Sequence, residues 1–282
     1  MKRRSICLFA AICLVLSLLS GCAKPQEEGV WVEVLNVDQS DCTLVRADGS
    51  VLMIDTGTAA ARDALRGALR ERGIERIDYL LLTHPHEDHI GNARMILESY
   101  PVGALILPSV ESDDLGYGLV LQAAEQSEVP CRIAVEGELF EVGGAVLEIL
   151  QAKADAKDVN DASVISRLRY GEISFLFTGD AEAEGEAALL SGNFAHGLDC
   201  DFLKAGHHGS DTSLCEALLS ATTPTHVAIS CGENNDDGFP HTALLERLEQ
   251  IGARWHRTDE EGTLTYRSDG KELWYEKGGE RR

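Results

Sequence analysis

Apolar and polar positions alternate so as to divide the chain into short strands and amphipathic helices. Residues 30–37 and 43–45 read as strands, and Asp48-Gly49 turns the chain into a third at 51–54, so the beginning is a meander. Residues 61–72 carry Leu65, Ala68 and Leu69 at helical spacing and stop at Gly73. The unbroken apolar run 77–82 predicts a buried strand, followed by a helix over about 91–99 and a strand at 104–107. No element is read between 107 and 146. The second half repeats the style, with strands at 146–150, 164–168 and 173–177, a helix at 181–190, a strand at 202–205 and a helix at 213–220. A strand at 227–231 and a helix at 241–251, striped with Leu244, Leu245, Leu248 and Ile251, lead to a closing hairpin, 263–267 and 272–275, turning at Asp269-Gly270. Two meander-plus-helix halves predict a layered α/β domain, sheets inside and helices outside.

The first residues follow a different pattern. Lys2, Arg3 and Arg4 precede an apolar run, 6–19, and then Ser20-Gly21-Cys22. A basic start, a short apolar stretch and small residues make a secretory signal, and the run falls short of the roughly 20 residues a membrane span needs. Leu19-Ser20-Gly21-Cys22 resembles the bacterial lipobox, which implies cleavage before Cys22 and acylation of its thiol. The expected organisation is a lipoprotein signal peptide over 1–21, a lipidated tether over 22–29 and one domain over 30–277, held outside the cytoplasm on a bacterial membrane. An ordinary signal peptide or N-terminal anchor is the alternative.

With 44% hydrophobic and 26% charged residues among 282, the chain is globular, which excludes disorder and collagen-like repeats. Its 47 Asp and Glu against 25 Lys and Arg give a net charge of −22, or −25 once residues 1–21 are removed. Such acidity argues against holding nucleic acid by bulk electrostatics, although a metal site supplies positive charge locally. Beyond Cys22 lie Cys42, Cys131, Cys200, Cys215 and Cys231, an odd number at wide spacing with no CxxC. They read as buried thiols, with one or two disulfide pairs left open, and not as a disulfide framework or a thiolate zinc site.

The histidines carry the chemistry. Three of nine lie in Thr83-His84-Pro85-His86-Glu87-Asp88-His89, directly after the apolar run 77–82. His207-His208 follow the strand at 202–205, and Asp180 ends Phe177-Thr178-Gly179-Asp180. Each polar group sits just past a strand's carboxyl end, where open α/β sheets build their sites. His84 and His86, two apart, can share one metal from an extended segment, while Asp88 and His89 can face a second. Imidazole and carboxylate without thiolate suit zinc, with manganese or iron as competitors. Two metals about 3.5–4 Å apart need a bridging carboxylate, for which Asp180 is the candidate. The bland alternative is a histidine-rich surface loop, which four potential ligands in six residues after a buried strand oppose.

His84-x-His86-x-Asp88-His89 resembles the HxHxDH motif of the metallo-β-lactamase superfamily; Asp55 in Ile54-Asp55-Thr56-Gly57 is similar to its first motif, and Asp180 to its bridging aspartate. One branch is closer, the extracytoplasmic hydrolase domain of ComEC-type competence proteins. Asn160-Asp161-x-Ser163-Val164 resembles that branch's NDxS motif. Lys204-Ala205-Gly206-His207-His208-Gly209-Ser210 resembles its KxGHHGS segment, and Ser230, Gly232 and Asn234, followed by Pro240-His241, its last loop. The likeness implies an αβ/βα sandwich. Two departures stand out: Asp38-Gln39-Ser40-Asp41 replaces GQGD, and Asn92 replaces a glycine after the HxHxDH motif. The membrane channel of the competence proteins is absent, so DNA uptake is not implied.

No histidine occurs between His89 and His196, so the separate third metal histidine of β-lactamases and glyoxalase-II-like enzymes is missing. The resemblance then implies one metal on His84, His86 and Asp180, and another on Asp88, His89, Asp180 and one histidine of the pair, preferably His208. Asn160 or Asp161 is left to fill part of the vacated place. Asp55 would orient a ligand histidine, and His207 and His241 would bind phosphate or protonate the leaving oxygen. For Ser210 and Lys204 a structural role is at least as good a reading, and His196, His226 and His256 lack motif context.

The expected function is metal-dependent hydrolysis of a phosphodiester by a metal-activated hydroxide, since a bridged pair brings the pKa of water from 15.7 toward about 7 and clamps the phosphate. The substrate is single-stranded DNA or a wall-associated or small-molecule phosphodiester; the acidity and the lack of a Lys/Arg cluster near the motifs favour the latter. The alternatives are a lactone or thioester hydrolase and a non-catalytic, lipid-anchored metal-binding surface protein.

Overall fold

In the computed structural model, which describes residues 28–110, 112–277 and 280–281, the predicted meander is present. Strands β1 (Val30–Val34), β2 (Thr43–Ala47) and β3 (Ser50–Ile54) pair antiparallel in sequence order. The predicted signal peptide, the lipidated Cys22 and the tether up to residue 27 lie outside the described residues. Next come α1 (Arg62–Glu71), β4 (Ile77–Leu81), α2 (Glu87–Ile90), α3 (Ala93–Ser99), β5 (Val102–Leu107), α4 (Leu115–Gln126) and β6 (Cys131–Ile133), with β3 to β6 parallel neighbours. The second half opens on an antiparallel run, β7 (Leu139–Val142), β8 (Ala145–Gln151), β9 (Ile165–Tyr170) and β10 (Ile173–Phe177). Then α5 (Ala183–Ser191), β11 (Phe202–Lys204), α6 (Glu216–Thr222), β12 (His226–Ile229), α7 (Thr242–Ile251) and β13 (Arg254–Arg257) extend that sheet in parallel. A short α8 (Thr258–Glu261) returns the chain to the first sheet through β14 (Leu264–Ser268), β15 (Leu273–Lys277) and β16 (Glu280–Arg281), where β14 pairs with β1.

The result is a nine-stranded and a seven-stranded sheet, face to face, with helices on both outer faces: the expected αβ/βα sandwich. Strand alternation sorts the core. In β10, Phe175 and Phe177 point between the sheets, where they meet Phe202 and Tyr266, while Leu176 points out toward the helices with Leu218 and Leu244. Both faces are covered, so the central strands read as continuous apolar runs. On the other side α1 buries Leu65 and Leu69 with Leu80 and Leu105 of the first sheet.

Differences from the sequence reading have local causes. Segment α4 went unread because Gly116 and Gly118 interrupt its helical pattern, and β6, β7 and β13 because short edge strands mix apolar and polar residues. The helix expected from about residue 91 begins earlier and breaks at Gly91-Asn92. Strand β1 ends at Val34, three residues early, since the chain swings out into a loop with Asp38 at φ 64°.

This topology collects the carboxyl ends of β3, β4, β10, β11 and β12 on one rim. A hydrogen bond from Val164 N to Thr83 O, 3.0 Å, ties the two sheets together there. Between the sheets Phe202 is fully buried, with its ring 4.7 Å from Tyr266, 5.7 Å from Phe175 and 5.9 Å from Phe177. Replacing Phe202 with Ala should cost about 3–5 kcal/mol of stability in urea unfolding followed by circular dichroism; a cost below about 1 kcal/mol would mean the inter-sheet layer does not hold the sandwich together.

Candidate metal centre

The rim is built outward from Asp55. Leaving β3, Asp55 takes a left-handed backbone (φ 58°), and its carboxylate accepts from Thr83 N at 2.8 Å and from Thr83 Oγ1 at 2.7 Å. That fixes the start of the histidine loop. The other end is fixed too, because Asp55 Oδ2 lies 2.8 Å from His89 Nδ1 and Thr56 N donates to His89 O. A ring that donates from Nδ1 to a carboxylate presents its Nε2 lone pair, the tautomer a metal requires. Asn92 has a use as well: its amide donates to Thr56 O and Thr58 O, holding the Asp55 loop against the helix.

Four predicted ligands converge. Asp88, His89, Asp180 and His208 each offer one donor atom, all within 4.8 Å of one another. Asp180 Oδ2 lies 3.2 Å from His89 Nε2, 3.6 Å from His208 Nε2 and 3.9 Å from His84 Nε2, and His84 Nε2 lies 3.0 Å from His86 Nδ1. Asp88, His89, His208 and His84 thus gather about the Asp180 carboxylate, with His86 adjoining through His84, and Asp180 stands where a bridging ligand would. His89 Nε2 and Asp180 Oδ1 are buried without a hydrogen-bond partner. Buried nitrogen and oxygen atoms left without hydrogen bonds in one cluster are what a divalent cation satisfies, and the nitrogen-and-oxygen donor set suits one.

Electrostatics agree. Burial works against ionisation of Asp180, yet His89 and His208 hold its carboxyl well below the usual range. Burial likewise opposes a charge on His208, but Asp180 and Asp41 outweigh it and push its pKa up to about 10; Asp180 and Asp55 lift His89 well above its ordinary value. Burial and the neighbouring His89 hold His84 well below it. The carboxylates thus demand cations, and without a metal the imidazoles supply them as protons.

Of the histidine pair, His208 joins the cluster, and it is 2% exposed. His207 and His208 both have left-handed backbones (φ 45° and 53°) ahead of Gly209 at φ 90°. Such conformations cost about 1–3 kcal/mol each at non-glycine positions. A Cβ on Gly209 would lie 2.6 Å from Pro240 Cβ, so only glycine lets the last loop close over the turn. Behind His208 stands Asp41, a residue to which the sequence reading gave no role. Its Oδ1 is 3.3 Å from His208 Nδ1 and accepts from Ser230 Oγ, while Oδ2 accepts from Lys204 Nζ at 2.8 Å. Lys204 is 3% exposed, so its role is structural: it neutralises Asp41. The signal for Asp41 was present, as the one acidic residue the Asp38–Asp41 loop shares with GQGD. That loop keeps a defined path without its glycines, since Ser40 Oγ donates to Val37 O and Gln39 Oε1 accepts from Gly232 N.

The remaining predicted residues sit around the cluster. His207 faces Glu182, with Nδ1 2.7 Å from its carboxylate, and its ring lies 5.5 Å from Phe239. His241 precedes α7, 3.0 Å from Asp211 and 4.9 Å from Phe239. Asn160 lies in a 3-10 turn, its Oδ1 buried without a partner. Asp161 does not fill the vacated ligand place, because its Oδ1 accepts from Glu182 N and Gly185 N at the start of α5. The member of that motif at the centre is Ser163, whose Oγ accepts from Asp180 N at 3.0 Å and lies 3.3 Å from His84 Nδ1. The Ser210 side chain bonds to Thr212 within its own turn. His226 is buried against Tyr266, His256 pairs with Glu261, and His196 is exposed. All five cysteines beyond Cys22 are free. The expected lack of basic residues near the motifs does not hold in three dimensions: Arg62, Arg66 and Arg94 line a groove that reaches Glu87, inside the histidine motif.

Residues 35–233 match the profile of the metallo-β-lactamase superfamily. The chain belongs to this superfamily. Its resemblance to the competence branch holds across most of the chain. It is 31% identical to ComE operon protein 3 of Bacillus subtilis over 84% of this chain and 33% of that protein. It is 32% identical to Recombination protein 2 of Haemophilus influenzae over 90% and 30%, respectively. The chain spans about a third of the length of these relatives. Among solved structures, the metallo-β-lactamase fold protein YhfI from Bacillus subtilis aligns with a TM-score of 0.59 and 11% identity over 86% of this chain and all of that one. CmlA, a diiron β-hydroxylase from Streptomyces venezuelae, aligns with 0.55 and 18% over 87% and 55%. At such identities these two speak for the fold alone. The superfamily is one of metal-dependent hydrolases, and the clustered donors of this member fit divalent metals.

Two outcomes are expected. Metal uptake must displace the protons on His89 and His208, so apparent affinity should rise as pH increases toward about 10, the pKa of His208. Calorimetry in buffers of different ionisation enthalpy should show proton release, and a buffer-independent heat would refute it. Asp55→Asn should weaken metal binding roughly 10–100-fold by loosening His89, measured by competition with a chelating dye.

Proposed function

We propose that this chain is a phosphodiesterase acting outside the cytoplasmic membrane, with two divalent metal ions, zinc foremost and manganese or iron as competitors. The observation that carries it is the arrangement of three histidine side chains within 3.9 Å of one buried carboxylate oxygen, Asp180 Oδ2. His84, His86 and Asp180 would hold one ion, and Asp88, His89, Asp180 and His208 the other. Bound there, the metals supply Lewis acidity for a phosphoryl oxygen and make water acidic enough to attack near neutral pH.

The chain's own residues complete the reaction. Asp55 and Asp41 orient His89 and His208. His207, turned by Glu182, leaves Nε2 for a phosphate oxygen or for protonating the leaving group, and His241 flanks the same entrance across Phe239. Asn160, whose side-chain carbonyl oxygen is buried without a hydrogen-bond partner, would help to position the substrate. The missing third histidine disfavours lactone and thioester hydrolysis, and similarity to competence proteins supports a phosphodiester, either single-stranded DNA or a wall-associated or small ester. A lipid on Cys22 would hold the domain of residues 30–277 at the membrane.

Metal content and turnover of bis-p-nitrophenyl phosphate, single-stranded DNA and a lactone, measured on the full chain in parallel, test this reading. The first should be hydrolysed and the lactone left intact. A protein carrying two metals that turns over no phosphodiester would count against the proposal and favour a metal-binding surface protein. Asp180→Asn should lose metal and activity together, and retained activity would overturn the bridging role.

A further inference from the structure

Asp55 stands directly behind His89, and Asp41 behind His208; behind His84 stand two hydroxyl groups. His84 Nδ1 lies 3.1 Å from Thr83 Oγ1 and 3.3 Å from Ser163 Oγ. His84, Thr83, Ser163 and Asp55 are all buried, so these groups must satisfy one another. Neither hydroxyl has room to swing away. Thr83 is β-branched, its N–H donates to Asp55 Oδ1 and its carbonyl accepts from Val164 N. A Cβ added at Gly179 would lie 3.0 Å from Thr83 Cβ and 2.9 Å from Ser163 Cβ, so the chain leading to Asp180 packs on both.

The protons here can be placed one by one. A hydroxyl has a single proton to give and two lone pairs with which to receive. The Asp55 carboxylate only accepts, and it does so from Thr83 N, from His89 Nδ1 and, at 2.7 Å, from Thr83 Oγ1. The Thr83 proton therefore goes to Asp55, and toward His84 the same oxygen can only accept. Burial and the neighbouring His89 keep the His84 ring neutral, with one N–H. Facing an oxygen that has nothing left to donate, that N–H belongs on Nδ1. His84 Nε2, 3.9 Å from Asp180 Oδ2, then keeps its lone pair for a metal. The Ser163 oxygen, which accepts from Asp180 N at 3.0 Å, is a second and more distant acceptor for the same N–H.

We propose that Thr83 is a positioning residue whose hydroxyl relays Asp55 to His84, so that one buried carboxylate fixes the ligand atoms offered to both ions. Asp55 sets His89 directly and His84 through Thr83. The proposal rests on the two-metal phosphodiesterase reading of the centre. The test compares the full chain with Thr83→Val, which keeps the shape and loses the hydroxyl, and Thr83→Ser, which restores it. Long-range proton–nitrogen correlation NMR on the metal-free, histidine-labelled protein reads which ring nitrogen carries the proton, and the His84 signals are those lost in His84→Asn. Wild type and Thr83→Ser should carry the His84 proton on Nδ1. In Thr83→Val it should pass, wholly or in part, to Nε2, which has His86 Nδ1 at 3.0 Å to receive it. Zinc titration against a chelating dye should show one of the two stepwise affinities falling roughly 10–100-fold in Thr83→Val and recovering in Thr83→Ser. At that ion the effects of Thr83→Val and Asp55→Asn should be non-additive, because both break one chain of hydrogen bonds. An unchanged His84 tautomer in Thr83→Val overturns the relay, as does a zinc loss that Thr83→Ser fails to restore or that simply adds to the loss in Asp55→Asn. The wild-type spectrum decides even if Thr83→Val does not fold, since a His84 proton on Nε2 there overturns the relay outright. Turnover of bis-p-nitrophenyl phosphate by the zinc-loaded wild type separates the two readings. A Thr83-dependent tautomer without turnover sinks the phosphodiesterase and leaves the relay, whereas turnover with a Thr83-independent tautomer does the reverse.

Discussion

The rim of the sandwich is organised around a carboxylate that has almost no water. Asp180 is 2% exposed, and one of its oxygens has no hydrogen-bond partner. An isolated carboxylate in such a place would be neutralised or expelled, because burying an unpaired charge is among the costliest things a fold can do. Here it is kept ionised by imidazoles arriving from three directions: His84 and His89 from the loop after β4, and His208 from the turn after β11. His208 reaches that oxygen from a turn in which both His207 and His208 have left-handed backbones.

Each imidazole that reaches Asp180 most closely is braced from behind by a second buried carboxylate. Asp55 does this for His89, and Asp41 for His208. The braces come from adjoining loops of the first sheet's meander, after β1 and after β3, and are themselves compensated differently. Asp55 takes hydrogen bonds from Thr83, whereas Asp41 takes a buried ammonium, Lys204. Replacing either brace with a neutral residue would leave the ring free to rotate and to change tautomer, so metal affinity depends on residues that would not touch the metal.

The charge of the chain takes on a different meaning once the fold is known. Most carboxylates are solvated surface, several neutralise the centre's cations, and the net −22 suggests a molecule that repels phosphate polymers. That Arg62, Arg66 and Arg94 share a groove with Glu87 of the histidine loop, beside the Ala59–Glu87 bond, is a fact of packing.

The sequence by itself determined the class of architecture and singled out the residues that gather at the rim. Alternating apolar runs located most central strands because both their faces are buried, and the density of histidine and aspartate just beyond those runs located the centre. Short edge strands and the glycine-interrupted α4 were not legible, because their apolar content is too small or too broken to show a period. Tertiary structure alone decided which histidine of the pair turns inward, that Asp161 caps a helix while Ser163 supports Asp180, and that Asp41 and Lys204, 163 residues apart, form one brace. The physical reason is the same in each case. Periodicity reports what a local segment buries, whereas the orientation of a polar side chain is set by partners that only the closing of two sheets brings within reach.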